Sequence, residues 1–379
     1  MSETILTNAR IVTRDAVVSG SLRIADGRIV EIAEGPSAAT GAIDCEGDLL
    51  IPGLVDLHTD NLERQVLPRS NARWPGVSAY LAHDAQCIAA GVTTVLDALC
   101  LGDLGFDTER GQTFRDGVRD LDRLADAGVL KADHHLHLRC EIPALDMPEA
   151  LDSVADHPRV VMASLMDHSP GVGQYRDLVR YRAMRVRQTR MTDAEVEKRV
   201  GELLERRDRL RRPQRDWMLA RIAHRDLPLA SHDDDTEATI AENLADGIKI
   251  SEFPVTHAAA KAAKENGMEV IAGAPNIVRG GSHSGNVNAA ELVEAGRVDA
   301  FASDYVPSSM IEAAWGLAAR GTLPVPEAIA LVTDRPARMA RMEDRGRIAP
   351  GLRADLVRLR PFEALPALRG VWVAGERVG

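Results

Sequence analysis

The sequence predicts an α/β protein, a (β/α)8 TIM barrel with a small β-sandwich domain formed by both chain termini. Three observations predict it. Eight apolar runs alternate with helical stretches through the middle of the chain, the first fifty residues read as short strands joined by tight turns, and strand-and-turn patterning returns after residue 345. The expected division is 1–50 and 345–379 for the two parts of the β domain and 51–344 for the barrel. A chain of 379 residues accommodates one large catalytic domain and a small satellite.

Taken in order, the opening strands are expected at 5–12, 21–25 and 28–32. Asp26-Gly27 joins the last two, and that pair suits a tight hairpin because both positions accept positive φ. Barrel strands are expected at 54–59, 93–99, 134–140, 160–167, 227–232, 248–253, 270–275 and 300–305. Helical periodicity falls between them at 78–90, 236–246, 256–266 and 309–320, as parallel strands require of their crossovers. One crossover, 175–225, is oversized, rich in arginine with interspersed Asp and Glu, and fits two long helices. It reads either as a solvated helical pair laced with i,i+4 ion pairs or as a lid or dimer arm lending arginines to an anionic substrate. The stretches 346–357 and 370–375 complete the β domain.

Composition narrows the function. No run approaches the roughly 18 apolar residues of a membrane span, and Met1-Ser2-Glu3-Thr4 does not begin a basic and apolar leader. A soluble, cytoplasmic protein with no membrane partner is expected. Cys45, Cys87, Cys100 and Cys140 form no Cys-x-x-Cys pair, which points to buried free thiols. A formal charge of −11 argues against nucleic acid as partner, since phosphate-backbone affinity rests on clustered Lys and Arg. An anionic small molecule would need a local positive pocket, and nothing in the composition speaks against a homodimer.

A parallel barrel builds its active site at the C-terminal ends of its strands, and polar residues recur there. They are His58-Thr59-Asp60-Asn61, His137-Leu138-Arg139-Cys140-Glu141, Asp167-His168, Ser231-His232-Asp233, Glu252 and Ser303-Asp304. A lone histidine at a strand end is an ordinary polar group. Three histidines and several carboxylates converging on one mouth would raise one another's pKa unless a cation held them. Imidazole and carboxylate without thiolate suit zinc, manganese or iron. His58 and Asp60, two apart on an extended chain, point the same way and can meet one ion.

For an anion, Arg279-Gly280-Gly281-Ser282-His283 after the seventh strand offers backbone N–H groups and a two-pronged guanidinium, or else a merely flexible turn. Lys249 and Arg139 are weaker candidates, because a strand residue can face the helices as easily as the mouth. His134 and His135 start a strand away from the mouth, His83 and His257 fall on helices, and His157 and His224 sit in or near loops. Surface or packing roles are expected for all six.

Pro52-Gly53-Leu54-Val55-Asp56-Leu57-His58, the late Ser303-Asp304 and the closing Gly346-x-Ile348-x-x-Gly351-x-x-Ala354-Asp355-Leu356-Val357 resemble the amidohydrolase superfamily along nearly the whole chain. Four strings resemble, within it, the triphosphate diphosphatases of the carbon-phosphorus lyase pathway. They are His58-Thr-Asp60-Asn61-Leu-Glu63, Ser164-Leu-Met-Asp-His168-Ser-Pro170-Gly171, Ser251-Glu252-Phe253-Pro254, and the stretch from Gly273 through Asn276 and Arg279 to Asn286.

The resemblance implies one or two divalent metal ions, zinc foremost with manganese or iron as alternatives, that activate a water. It implies His58, Asp60, Glu141, His168, His232 and Asp304 as metal ligands and Asp304 as the catalytic proton acceptor. It further implies a phosphorylated anionic substrate, a ribose 1-methylphosphonate 5-triphosphate cleaved to the 5-phosphate and pyrophosphate, bound by Arg279, Ser282, His283, Asn61 and Lys249. The chain departs from the commoner superfamily pattern: His-x-Asp replaces His-x-His on strand one, His168 replaces a lysine, and Glu252 replaces a histidine. A carboxylated-lysine bridge is therefore not expected, and Glu141 is left to bridge two ions or to ligate one. Two other readings stand beside this one: an amidohydrolase acting on an amide, cyclic amide or N-acetyl sugar, and a metal-free assembly protein, against which the retained ligand types speak.

Overall fold

The structure is a computed structural model that describes residues 3–69, 72–105, 109–189, 191–282 and 285–379. Its first strands are β1 Glu3–Val12, β2 Val17–Ala25, β3 Arg28–Glu34, the short β4 Ile43–Asp44, and β5 Leu49–Pro52. The next eight are β6 Leu54–Thr59, β7 Val92–Leu101, β8 Asp133–Glu141, β9 Val160–Met166, β10 Leu229–His232, β11 Ile250–Glu252, β12 Glu269–Gly273 and β13 Ala300–Ala302. The last three are β14 Leu356–Phe362, β15 Leu365–Val373 and β16 Glu376–Arg377.

Strands from both termini share one sheet, in the order β16-β15-β14-β5-β1-β2-β3, with β4 on β1. The antiparallel β5–β14 pairing joins the two ends of the chain. Alternation along β1 and β2 buries Leu6, Ile11, Leu22 and Ile24 against Leu356 and Trp372 from the other end of the sequence. Each such side chain contributes roughly 1.5–3 kcal/mol relative to exposure, so neither terminal segment has a core without the other. The chain passes from this sheet into the barrel at Gly53, where a Cβ would lie 2.1 Å from Thr93 Oγ1. Only glycine lets β5 run directly into β6 this close to the neighbouring strand.

β6 through β13 pair in sequence order, all parallel, as the alternating pattern predicts. A bridge between Thr59 and Asp304, with Asp304 N–H donating to His58 O at 3.0 Å, joins the last strand to the first. Val55, Leu57, Leu96, Met162, Ala230 and Ile250 fill the interior. β11 and β13 are shorter than expected because the chain turns left-handed at Phe253 and, two residues beyond β13, at Asp304.

Around the barrel lie α1 Asn61–Val66, α2 Gly76–Ala89, α3 Glu109–Asp126 and α4 Met147–Val154. The oversized crossover is indeed helical, as α5 Leu178–Thr189 and α6 Asp193–Ile222, the latter started by a capping box between Thr192 and Glu195. α7 Glu237–Ala245 and α8 His257–Glu265 start at threonine caps, and α9 Ala274–Arg279 follows β12. Much of the arginine on α6 is committed to ion pairs with the barrel's outer helices, among them Arg215 to Asp246 at 2.5 Å and Arg221 to Asp152 at 2.6 Å. The four cysteines are buried and free. Among the described residues no helix is long and apolar enough to cross a membrane.

Candidate metal centre

The C-terminal strand ends converge on one cavity of about 560 Å3, with Asp60, His168, His232, Asp233 and Asp304 at its floor. β6 delivers His58 and Asp60, β10 delivers His232, and His168 follows β9. The His58 and His232 rings stack with centroids 5.5 Å apart, and the His168 ring meets that of His232 edge-on at 5.4 Å.

Carboxylates fix how each imidazole presents itself. Glu252 spans two rings, with Oε1 2.8 Å from His58 Nδ1 and Oε2 2.9 Å from His232 Nδ1. Glu141 Oε2 lies 2.6 Å from His168 Nδ1, while its Oε1 accepts the His168 backbone N–H at 2.8 Å. Nδ1 of His168 and of His232 is thereby hydrogen-bonded, and Nδ1 of His58 faces a carboxylate oxygen. Nε2 of His58 faces Asp60 at 3.5 Å, and Nε2 of His168 and of His232 faces Asp233 Oδ2 at 3.7 and 3.8 Å. A carboxylate holding one imidazole nitrogen while the other points at a cation is the usual outer support of a metal site.

Both oxygens of Glu141 contact His168, which places Glu141 to orient that imidazole. Asp233 joins the candidate donors: its buried Oδ2 has no hydrogen-bond partner among the described residues. Asp233 adopts φ 56° and Asp304 φ 55°. That left-handed turn at the end of a strand swings each carboxylate into the mouth, at a conformational cost that aspartate tolerates better than most residues. Phe253 shares the conformation, with φ 55°, and lays its ring 5.0 Å from that of His58 and 5.4 Å from that of His232. It walls the two imidazoles from bulk water.

Donor atoms group into sets within 4.8 Å of one another: His58 with Asp60 and Asp304, His168 with His232 and Asp233, and His58 with His232 and Glu252. The first two sets present nitrogen and carboxylate oxygen to the cavity, a donor chemistry that fits a divalent cation. The unsatisfied Asp233 Oδ2 is the kind of buried group a cation would complete. A fourth set, His83, Asp97 and His134, lies buried away from the mouth.

Electrostatics agrees with a site built for positive charge. Burial disfavours the charged form of His58, yet Glu252 and Asp60 overcome it and lift its pKa to about 10. Burial first and the charge of Asp60 second push Asp304 up to about 7, and burial raises Asp233. Asp60 is held low, because Arg139 and His58 outweigh its desolvation. Burial first, with the charges of His58 and Arg139, takes His137 down to about 4; its Nδ1 lies 2.8 Å from Leu57 O, below the mouth.

The remaining expected residues divide. Arg279 and Ser282 line the cavity, with Arg279 Nη1 3.5 Å from the Tyr305 hydroxyl. Arg139 also faces the cavity but is paired with Asp60. Asn61 is not among the cavity-lining residues: its amide is buried, 3.0 Å from His83 Nδ1, and its oxygen accepts from Gln65. Lys249 sits exposed before β11, at the opposite end of the barrel from the mouth. His283 lies outside the described residues. His83 and His134 pack, as expected, whereas His224 and His257 are exposed and paired with Asp156 and Glu291. Sequence reasoning did not select Asp233, Phe253, or the cavity-lining Arg110 and Arg185.

A model of the amidohydrolase family matches residues 72–378. The α-D-ribose 1-methylphosphonate 5-triphosphate diphosphatase of Escherichia coli (strain K12) is 41% identical over 376 residues, covering 99% of this chain and 100% of that protein. Among solved structures, the N-acetylglucosamine-6-phosphate deacetylase of Pasteurella multocida superposes with a TM-score of 0.64 at 13% identity, covering 100% of both chains. The dihydropyrimidinase of Brevibacillus agri NCHU1002 has a TM-score of 0.64 at 14% identity, covering 100% of this chain and 95% of that one. At those identities the likeness is one of fold.

Proposed function

This chain belongs to the amidohydrolase family and is a hydrolase, and from that premise we propose that it cleaves α-D-ribose 1-methylphosphonate 5-triphosphate to the 5-phosphate and pyrophosphate, using one or two divalent metal ions, zinc foremost. The observation that carries the reading is a cavity whose floor holds cation donors while its walls carry Arg110, Arg185 and Arg279. A neutral amide or N-acetyl sugar would offer those guanidinium groups no anionic group to bind. Identity of 41% over nearly the full length of a protein bearing that activity supports the same substrate.

His58, Asp60 and Asp304 would hold one cation and His168, His232 and Asp233 the other. A divalent cation there supplies a lowered pKa for water, from about 16 towards 7, and withdraws charge from a phosphoryl oxygen. Asp304, at the mouth beside that cation, would accept the proton of the attacking water. Glu252 and Glu141 keep the imidazoles in one orientation and tautomer, so no reorganisation accompanies the reaction. Arg279 and Ser282 receive the anionic substrate.

Phosphorus NMR of the protein with added zinc or manganese and the triphosphate tests the reading. Pyrophosphate should appear with wild type and fall about 100- to 10,000-fold in rate with Asp304→Asn, the range for loss of a general base. No pyrophosphate from a metal-loaded wild type would overturn the substrate assignment.

A further inference from the structure

Four arginines line the cavity, and they are not equivalent. Arg139 is buried against Asp60, whereas Arg110 lies at the edge of ion-pair distance, 4.0 Å from Glu63. Arg279 belongs to the wall built after β12 and β13, beside Asn276, Ser282, Asn286 and Tyr305. Arg110 on α3 and Arg185 on α5 line it from the side of β7 and β9, across the barrel from β12 and β13, with Gln188 one turn beyond Arg185 and Arg176 bonded over the mouth to Asn286 at 2.8 Å.

Arg185 is mounted on a platform. Its guanidinium carbon lies 5.0 Å from the ring centre of Tyr181 and 5.6 Å from that of Tyr175. Tyr181 is buried with Val196 and Val200 of α6, the apolar seam that holds the inserted helices together. Tyr175 in turn meets the His168 ring at 6.0 Å. The insertion thus carries a guanidinium to the His168 side of the mouth, and a guanidinium stacked on rings bonds anions through its edge.

We infer that the Arg110–Arg185 wall is a diphosphate subsite that receives the departing end of the substrate, while the Arg279 wall receives the sugar and its phosphonate. The inference rests on the triphosphate reading above. Water adds to the α-phosphorus and gives its proton to Asp304; the bond from that phosphorus to the bridging oxygen breaks, and the electron pair leaves with the diphosphate. Attacking and leaving oxygens lie roughly in line across the phosphorus. Asp304 adjoins Tyr305 on the Arg279 wall, so the diphosphate departs away from it, towards His168 and Arg185. Charge agrees with geometry. A diphosphate carries several negative charges and suits two forked guanidiniums, whereas sugar hydroxyls and one phosphonate suit amides, hydroxyls and a single arginine.

The test is calorimetric titration of the metal-loaded protein with inorganic pyrophosphate and, separately, with ribose 1-methylphosphonate 5-phosphate. Arg185→Gln should weaken pyrophosphate roughly tenfold to a hundredfold and the sugar phosphate by less than about threefold. Arg279→Gln should show the reverse, and Arg185→Lys should recover part of the pyrophosphate affinity. A wild type that does not bind pyrophosphate, unchanged pyrophosphate affinity in both Arg185 variants, or equal weakening of both products would overturn the subsite. Binding is read without turnover, so pyrophosphate held through Arg185 by a protein that cleaves no triphosphate would refute the diphosphatase reading alone.

Discussion

Among the described residues two clusters combine several histidines with carboxylates at ligand distances, and they differ in what each imidazole does with its second nitrogen. In the wall between α2 and β8, His83 places Nδ1 3.0 Å from the Asn61 amide and Nε2 2.7 Å from Asp97. His134 places Nδ1 2.9 Å from Asp97 and Nε2 3.2 Å from Asp84. Tyr80 adds its hydroxyl to Asp97, and His83, Asp97 and His134 are all buried. At the mouth each ring sets Nδ1 against a carboxylate oxygen and turns Nε2 towards carboxylates that line the cavity or border it. Composition and proximity are the same in both places; a closed network locks the fold, and an open one can take a cation. The lock also fixes Asn61, the residue after Asp60, and so lends the mouth a rigid edge.

The sharpest way to separate the two is to break the lock. Asp97→Ala removes the carboxylate shared by two buried imidazoles and should cost about 3–5 kcal/mol of stability, the usual result of leaving buried ionisable groups without their partner. Denaturant unfolding measures it. Metal content per folded chain should stay at the wild-type value, and a loss of metal instead would mean that the wall cluster is itself a metal site.

At the mouth the same logic separates ligand from support. Asp233→Asn should lower metal affinity by more than about 100-fold, whereas Glu141→Gln, which touches only a ligand, should cost about 10- to 100-fold. Metal analysis after dialysis against graded chelator reads both. Equal losses would put Glu141 in the ligand set beside Asp233.

How much of this was legible in the sequence depends on which physical rule was in force. The barrel strands follow from apolar periodicity, and His58, Asp60, His168, His232 and Asp304 meet because strand ends converge. Asp233 follows His232 directly, and alternation on a strand puts neighbours on opposite faces; the left-handed φ that reverses this is invisible in residue types. Glu141 occupies a ligand-like position, but nothing local tells that His168 will consume both of its oxygens. Lys249 precedes β11 at the end of the barrel away from the mouth, and Asn61 is turned aside at the start of α1. The insertion's helices were legible in outline, whereas the seating of Arg185 over two tyrosines depends on tertiary packing.

The smallest effect expected from the comparison is in pH. His134 is fully buried, which disfavours its charge, but Asp97 and Asp84 outweigh that and raise its pKa to about 9. A histidine whose folded pKa exceeds its unfolded value of about 6.5 binds its proton more tightly when folded. Its contribution is complete below the unfolded value and is lost as pH rises through the folded one. Stability should therefore decline between about pH 6.5 and 9, by an order of 1–3 kcal/mol. His134→Asn keeps a polar group there but removes the titration, so its unfolding free energy should be flatter over the same window. Parallel slopes in wild type and variant would mean that His134 is neutral in the folded wall, and the lock would then rest on hydrogen bonds without an ion pair.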